Sequence, residues 1–123
     1  MLNIEKSILK SSLIKRLVGR QSAVRSTTLI TMYIPGSTKV PDVTRMITAE
    51  ISQSKNIKSR QTRQGVQDSL QHISSQLTGI NKFPTNGVVI VAGATNEGVV
   101  NTSFVPPRPI DRFFYRCGSE FYL

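Results

Sequence analysis

The sequence is poor in the residues that build cross-linked or metal-held scaffolds. It contains one cysteine, Cys117, one histidine, His72, and no tryptophan. A single cysteine excludes a disulfide within the chain, and one cysteine with one histidine excludes a zinc site built from the usual ligands. We therefore expect no metal and no other cofactor.

Long apolar runs are also missing. No stretch approaches the roughly 18 apolar residues that a membrane-spanning helix needs. Residues 1–6 lack the apolar run and the small-residue cleavage site of a signal peptide. We expect a cytoplasmic protein without a membrane partner. At 123 residues, of which 38% are hydrophobic, the chain suits one domain with a modest core, so we predict a single domain over 1–123.

Acidic residues are scarce, with seven Asp and Glu against 16 Lys and Arg, and the formal net charge is +9. The excess lies in the first half, because twelve basic and three acidic residues fall between Met1 and Arg63. A polyanionic partner accounts for this asymmetry, and RNA is the polyanion we favour. The alternative is a solvated basic surface that serves only solubility.

Three stretches have the apolar spacing of amphipathic helices. The first runs from Ile4 to Val18 and predicts a basic helix that ends near Gly19. The second opens at Pro41-Asp42, where proline suits the first turn and aspartate the positive end of the helix dipole. The third is marked by buried-type residues one turn apart and ends at Gly79; these residues are Val66, Leu70, Ile73 and Leu77.

Four β-branched or apolar stretches bounded by turn residues predict strands, at 27–34, 88–92, 99–105 and 113–117. The order is helix, strand, two helices and three strands. This order predicts an α+β domain with a mostly antiparallel sheet flanked by helices.

The segment between the second and third helices, residues 52–63, is polar except for Ile57. We predict a helical hairpin whose tip, residues 56–60, lies in solvent away from the sheet. Its cations could bind phosphates and its polar groups could reach base edges in an RNA-lined site. An ordinary polar loop between helices is the alternative.

Two motifs give this chain a family resemblance. Asn56-Ile57-Lys58-Ser59 matches the tetrapeptide of the N-terminal, stop-codon-decoding domain of eukaryotic and archaeal class I release factors. Residues 115–121 match the family's second motif of Tyr, any residue, Cys, three of any residue and Phe. Thr27 lies in the equivalent of a Gly-Thr-Ser element, Glu50 matches a codon-reading glutamate, and residues 84–89 resemble the family's Pro-Asn-Gly turn. The resemblance covers about 27–121.

The resemblance implies a four-stranded antiparallel sheet, flanked by helices, with a protruding helical hairpin that carries the tetrapeptide. It implies entry into the ribosomal A site, with the mRNA stop codon and small-subunit rRNA as partners. The residues it assigns to stop-codon binding are Thr27, Glu50, Asn56, Ile57, Lys58, Ser59, Tyr115, Cys117 and Phe121. We expect Lys55, Arg60 and Arg63 to bind rRNA phosphates.

The chemistry expected at these positions is the reading of two purines after a leading uridine. Lys58 and Asn56 can satisfy the uridine carbonyls, and Glu50 can accept from exocyclic amines of adenine. Tyr115 and Phe121 could stack on bases. Cys117 and Phe121 could instead be core residues, since free cysteine is usually buried.

Some features limit the function that the resemblance implies. The family's Gly-Gly-Gln motif, which triggers peptidyl-tRNA hydrolysis, is absent, so we expect no catalytic residue and no enzyme. The class II release-factor GTPase would bind through regions absent here, and we expect a monomer. Departures from the family pattern leave open which stop codons are read; they are Ser26, Gly65 and Gly118-Ser119-Glu120. A general RNA-binding module that has lost codon discrimination is the alternative function.

Overall fold

The computed structural model describes residues 12–123. Residues 12–17 are helical and Gly19 has a φ of +84°, so the predicted helix end near Gly19 is confirmed. Residues 4–11 of the predicted helix lie outside the described residues. Within 12–123, no helix is long and apolar enough to cross a membrane.

Four strands form one antiparallel sheet: β1 (Leu29–Ile34), β2 (Val88–Thr95), β3 (Gly98–Phe104) and β4 (Phe114–Gly118). The strand order is β3-β2-β1-β4, which confirms the predicted antiparallel sheet. β2 runs three residues beyond its predicted end at Ala92. Its extra length pairs with β3 across the tight turn at 96–97, and Ser22 forms an isolated bridge with Thr95.

Two helices join β1 to β2: α1 (Val40–Ser54) and α2 (Arg60–Leu77). Pro41 lies in the first turn of α1, where a missing N–H breaks no helical hydrogen bond. The N-cap of α2 is Ser59, whose hydroxyl accepts from the Thr62 N–H at 3.3 Å. Gly79, with a φ of +82°, follows the last residues of α2 and confirms the predicted stop.

The two faces of the sheet bury separate apolar clusters, because successive strand residues point to opposite sides. The helix-facing cluster joins Ile30 and Met32 of β1 to α1 and α2, through Ile47, Leu70 and others. The opposite-facing cluster contains Leu17, Leu29, Val91, Val100 and Phe121. Each fully buried Leu or Ile stabilises the fold by roughly 1.5–3 kcal/mol relative to an exposed position.

Candidate nucleic-acid interface

β4 presents two of the predicted codon-binding side chains toward the helices. Cys117 lies opposite Ile30, and Tyr115 lies opposite Met32, so both belong to the helix-facing side of the sheet. Both are half-buried and pack against the helix-facing cluster. The Tyr115 hydroxyl oxygen lies 3.3 Å from the Cys117 Sγ, within hydrogen-bond distance. Tyr115 and Cys117 are neighbours on one face of the sheet because alternate residues of a strand point to the same side.

The last turns of α1 and the start of α2 close a cleft over this pair. Its volume is about 240 Å³, which is below the roughly 300–1,000 Å³ of pockets for drug-sized ligands. The lining residues come from the loop before β1, α1, the interhelical turn, α2 and β4; they are Thr27, Glu50, Gln53, Ser54, Ile57, Val66, Tyr115 and Cys117. We call this space the codon cleft, after the codon-binding role that the family resemblance predicts for residues that line it.

Five of the nine predicted codon-binding residues therefore line one cleft. They are Thr27, Glu50, Ile57, Tyr115 and Cys117. Asn56, Lys58 and Ser59 are exposed residues of the adjoining turn. The structure thus gathers residues that lie as much as 90 positions apart in the sequence.

Burial keeps the Tyr115 hydroxyl and the Cys117 thiol in the codon cleft protonated and uncharged. It raises the pKa of the Tyr115 hydroxyl well above its ordinary value, and the hydrogen bond to Cys117 and the charge of Glu50 raise it further. Burial also raises the pKa of the Cys117 thiol, with Glu50 adding to the effect and the Tyr115 hydrogen bond opposing it. At neutral pH the cleft therefore presents an O–H and an S–H group beside Glu50.

The sequence predicts that the tip of the interhelical turn, residues 56–60, lies in solvent away from the sheet. The structure differs at one of these residues. Ile57 is half-buried, lines the codon cleft and packs against the helix-facing cluster, so its predicted full exposure is wrong. An apolar side chain beside half-buried Tyr115 is stabilised by leaving water. The other members of the predicted tip, residues 56 and 58–60, are exposed as predicted.

Two of the predicted RNA contacts also shape the turn. The hydroxyl of Ser59 caps α2, and the guanidinium of Arg63 donates to the Ile57 carbonyl at 3.0 Å through Nη1. Arg63 is half-buried, unlike exposed Lys55 and Arg60. Ser59 and Arg63 therefore have local structural roles whether or not they touch RNA.

Phe121 is not brought into the codon cleft. It is 9% exposed and packs in the opposite-facing cluster with Leu17 and Leu29. The chain leaves β4 at Gly118, and the backbone N–H of Tyr122 donates to the Thr31 hydroxyl at 2.9 Å. Phe121 is therefore a core residue, which was one of its two predicted roles. The other predicted role, stacking on a base in the codon cleft, does not fit its position.

The sequence prediction missed three lining residues. Gln53 and Ser54 follow Glu50 by three and four positions, so the helical period already places them on the same side of α1. Val66 was predicted as core, and it both belongs to the helix-facing cluster and lines the cleft.

Basic side chains surround the turn without acidic partners. Across residues 12–123 the only ion pair joins Arg45 to Asp42 within α1. Lys55, Lys58 and Arg60 are exposed, and so are free to meet phosphates or base carbonyls.

The four-stranded sheet and the helix pair have the fold found in archaeal translation termination factors. A crystal structure of such a factor, aRF1, superposes with a TM-score of 0.84 at 32% identity, covering 95% of this chain and 32% of that one. A second solved structure, described as an archaeal protein, gives a TM-score of 0.89 at 32% identity, with coverages of 99% and 34%.

The family model of eRF1 domain 1 matches residues 9–123, and the chain belongs to that family. The curated relatives include peptide chain release factor subunit 1 of Methanopyrus kandleri, which is 36% identical over 97% of this chain. The subunit of the same name from Methanosarcina mazei is 42% identical over 89% of this chain. The chain spans less than a third of the length of either relative, 31% and 28% respectively.

Proposed function

We propose that this chain recognises mRNA stop codons in the ribosomal A site, as the decoding part of a class I release factor during translation termination. The observation that carries the proposal is the codon cleft, which sets the Glu50 carboxylate beside the Tyr115 hydroxyl and the exposed cations of the interhelical turn. Family membership and the names of the relatives support the same role in termination.

The exposed turn suits the first position of the codon. Uracil presents carbonyl oxygens as acceptors, and the Lys58 ammonium and the Asn56 amide are donors. Both side chains are exposed next to the cleft. Every stop codon begins with uridine, so this contact should be common to all three.

The cleft itself suits a purine. Glu50 accepts hydrogen bonds and so favours the exocyclic amine of adenine over the carbonyl of guanine. The Tyr115 ring, backed by the helix-facing cluster, offers a surface on which a base can stack. Where the guanine carbonyl takes the place of the adenine amine, the carboxylate is left without a donor partner at that edge, which is how such sites reject analogues.

Peptide release itself lies outside this proposal for the chain. We propose hydrolysis and the class II GTPase partner only for a full-length factor, and we propose that this factor is cytoplasmic and monomeric. The present chain covers less than a third of the length of such a relative. Small-subunit rRNA is the partner we propose for the phosphate-binding cations Lys55 and Arg60.

The test is a chimera in which this chain replaces the corresponding domain of an archaeal release factor. Release is measured on ribosomes programmed with each stop codon and with sense codons that differ by one base. We expect release on stop codons alone. If the chimera instead binds ribosomes programmed with stop and sense codons equally well, the alternative is favoured, which is an RNA-binding module without codon discrimination. That alternative draws support from Phe121, which lies outside the cleft.

A further inference from the structure

A second cleft opens on the other side of the loop that precedes β1. Its volume is about 380 Å³, and it lies between residues 23–28, the first half of α2 and Ala94 of β2. The α2 positions that line it recur on one face of the helix; they are Arg60, Gln61, Gln64, Gly65 and Asp68. We call it the second cleft.

Its walls differ in chemistry. One wall is apolar, with Ala23, Val24 and Ala94. The helical wall carries amides, a carboxylate and a cation, and the Gln64 Nε2 donates to Asp68 Oδ1 at 2.9 Å. Apolar side chains, hydrogen-bond donors and acceptors, and a guanidinium in one cleft are the groups that can hold a nucleotide by its base and its phosphate.

The second cleft adjoins the codon cleft. Thr27 lines the codon cleft and Thr28, the next residue, lines the second cleft. The Thr62 hydroxyl donates to the Ser26 hydroxyl at 3.0 Å and ties the loop to α2 between them. RNA that places one base in the codon cleft therefore passes within reach of the second cleft, which Arg60 lines from the first turn of α2.

We propose that the second cleft binds one unpaired RNA nucleotide, with its phosphate on Arg60 and the edge of its base on Gln64 and Asp68. Glutamine and aspartate are the side chains that pair with the amine-bearing edges of adenine and cytosine. The nucleotide comes either from the mRNA beside the codon or from the rRNA around it, and the chemistry of recognition is the same for both. This inference rests on the proposed function.

The test uses short-wavelength ultraviolet crosslinking of the chain bound to small ribosomal subunits programmed with a stop codon. Trypsin releases residues 113–116, which carry Tyr115 of the codon cleft, and residues 64–82, which carry Gln64 and Asp68 of the second cleft together with Val66 of the codon cleft. Loss of the 64–82 crosslink on substitution of Gln64 and Asp68 therefore assigns that crosslink to the second cleft. We expect nucleotides on both peptides. Reverse transcription of the attached RNA then distinguishes mRNA from rRNA.

The matched variants are Gln64→Ala with Asp68→Ala, against Gln71→Ala. Gln64, Asp68 and Gln71 are all exposed on α2, but Gln71 lies outside the second cleft. We expect the double variant to lose at least about fivefold of the 64–82 crosslink while keeping the 113–116 crosslink, as the loss of a base-edge contact implies. Gln71→Ala should keep both.

Crosslinks confined to 113–116 would overturn the second cleft and leave the proposed function standing. Crosslinks absent from both peptides would count against both proposals. A 64–82 crosslink that survives the double variant unchanged would show that this RNA contact does not use the cleft. Equal melting temperatures of the variants confirm that each is folded.

Discussion

The methyl group of Thr28 occupies the space that a side chain at position 65 would need. A Cβ added to Gly65 would lie 2.6 Å from the Thr28 Cγ2, which is closer than van der Waals contact permits. Thr28 is itself fixed, because it is 2% exposed and its hydroxyl lies 2.5 Å from that of Ser22. The contact sets how closely α2 approaches the loop between the two clefts.

This contact predicts that Gly65→Ala and Thr28→Ser are coupled. Alanine should gain up to about 1 kcal/mol in helix propensity over glycine, but the clash with Thr28 should offset it, since overpacking costs about 1–3 kcal/mol. Serine at 28 removes the methyl and keeps the hydroxyl. In urea unfolding, Gly65→Ala should therefore be more favourable, by at least about 0.5 kcal/mol, in the Thr28→Ser background. Strictly additive effects would contradict the contact.

The capping hydrogen bond of Ser59 predicts a separate loss of stability. Ser59→Ala should lower the free energy of unfolding by about 1 kcal/mol, and Ser59→Asp should retain the cap. The aspartate would also place a negative charge at the RNA surface, so its affinity for programmed small subunits should fall. Ser52→Ala, at an exposed position of α1, is the control and should not destabilise. Unchanged stability of Ser59→Ala would make Ser59 a contact residue only.

Burial of Cys117 predicts a pH dependence of stability. Because burial raises the pKa of this thiol above its ordinary value in the folded chain, the unfolded chain releases the thiol proton at lower pH than the folded chain. The stabilisation is fully present below the unfolded pKa and is lost as pH rises through the folded pKa, by up to about 1.4 kcal/mol per pH unit. Unfolding curves between pH 8 and pH 10 should show a smaller decline for Cys117→Ser than for wild type. Parallel declines would contradict the burial.

Much of the fold follows from local patterns. Val66, Leu70, Ile73 and Leu77 were predicted from helical spacing alone and all four are buried. The strands were predicted from β-branched stretches between turn residues, with ends that shift by up to three residues. These features could be predicted because they depend on the spacing of apolar residues within a short stretch of sequence.

The parts of the site that were not predicted depend on tertiary packing. Ile57 is half-buried because it packs against the helix-facing cluster, in the same cleft as Tyr115 and Cys117 of β4. Phe121 follows the end of β4, so the alternation that orients Tyr115 and Cys117 does not extend to it. The second cleft forms where the contact between Gly65 and Thr28 brings α2 close to the loop before β1. The polar residues of α2 do not by themselves predict a cleft at this place.

The unpaired cations of the turn predict a salt-dependent association with small subunits. Lys55→Ala should reduce the slope of log affinity against log salt by about 0.7–0.9, the value of one phosphate contact. Lys82→Ala removes the same exposed charge between α2 and β2 and should leave the slope nearly unchanged. Equal slopes for wild type and Lys55→Ala would show that Lys55 does not meet a phosphate.

The roles of Glu50 and Lys58 predict two different failures. Lys58→Ala should depress release on all three stop codons alike, because the leading uridine is common to them. Glu50→Gln replaces an acceptor by a group that can also donate, so it should relax the choice between adenine and guanine by about 1–3 kcal/mol. Glu97→Gln, in the exposed turn between β2 and β3, is the matched control.

The ratio of release rates on the three stop codons for the Glu50→Gln chimera tests the decoding role most directly. The codon cleft predicts that this ratio shifts by roughly 5- to 150-fold relative to the Glu97→Gln chimera, with the melting temperature unchanged. A Glu50→Gln chimera that lowers release equally on all three codons would contradict purine reading by this carboxylate.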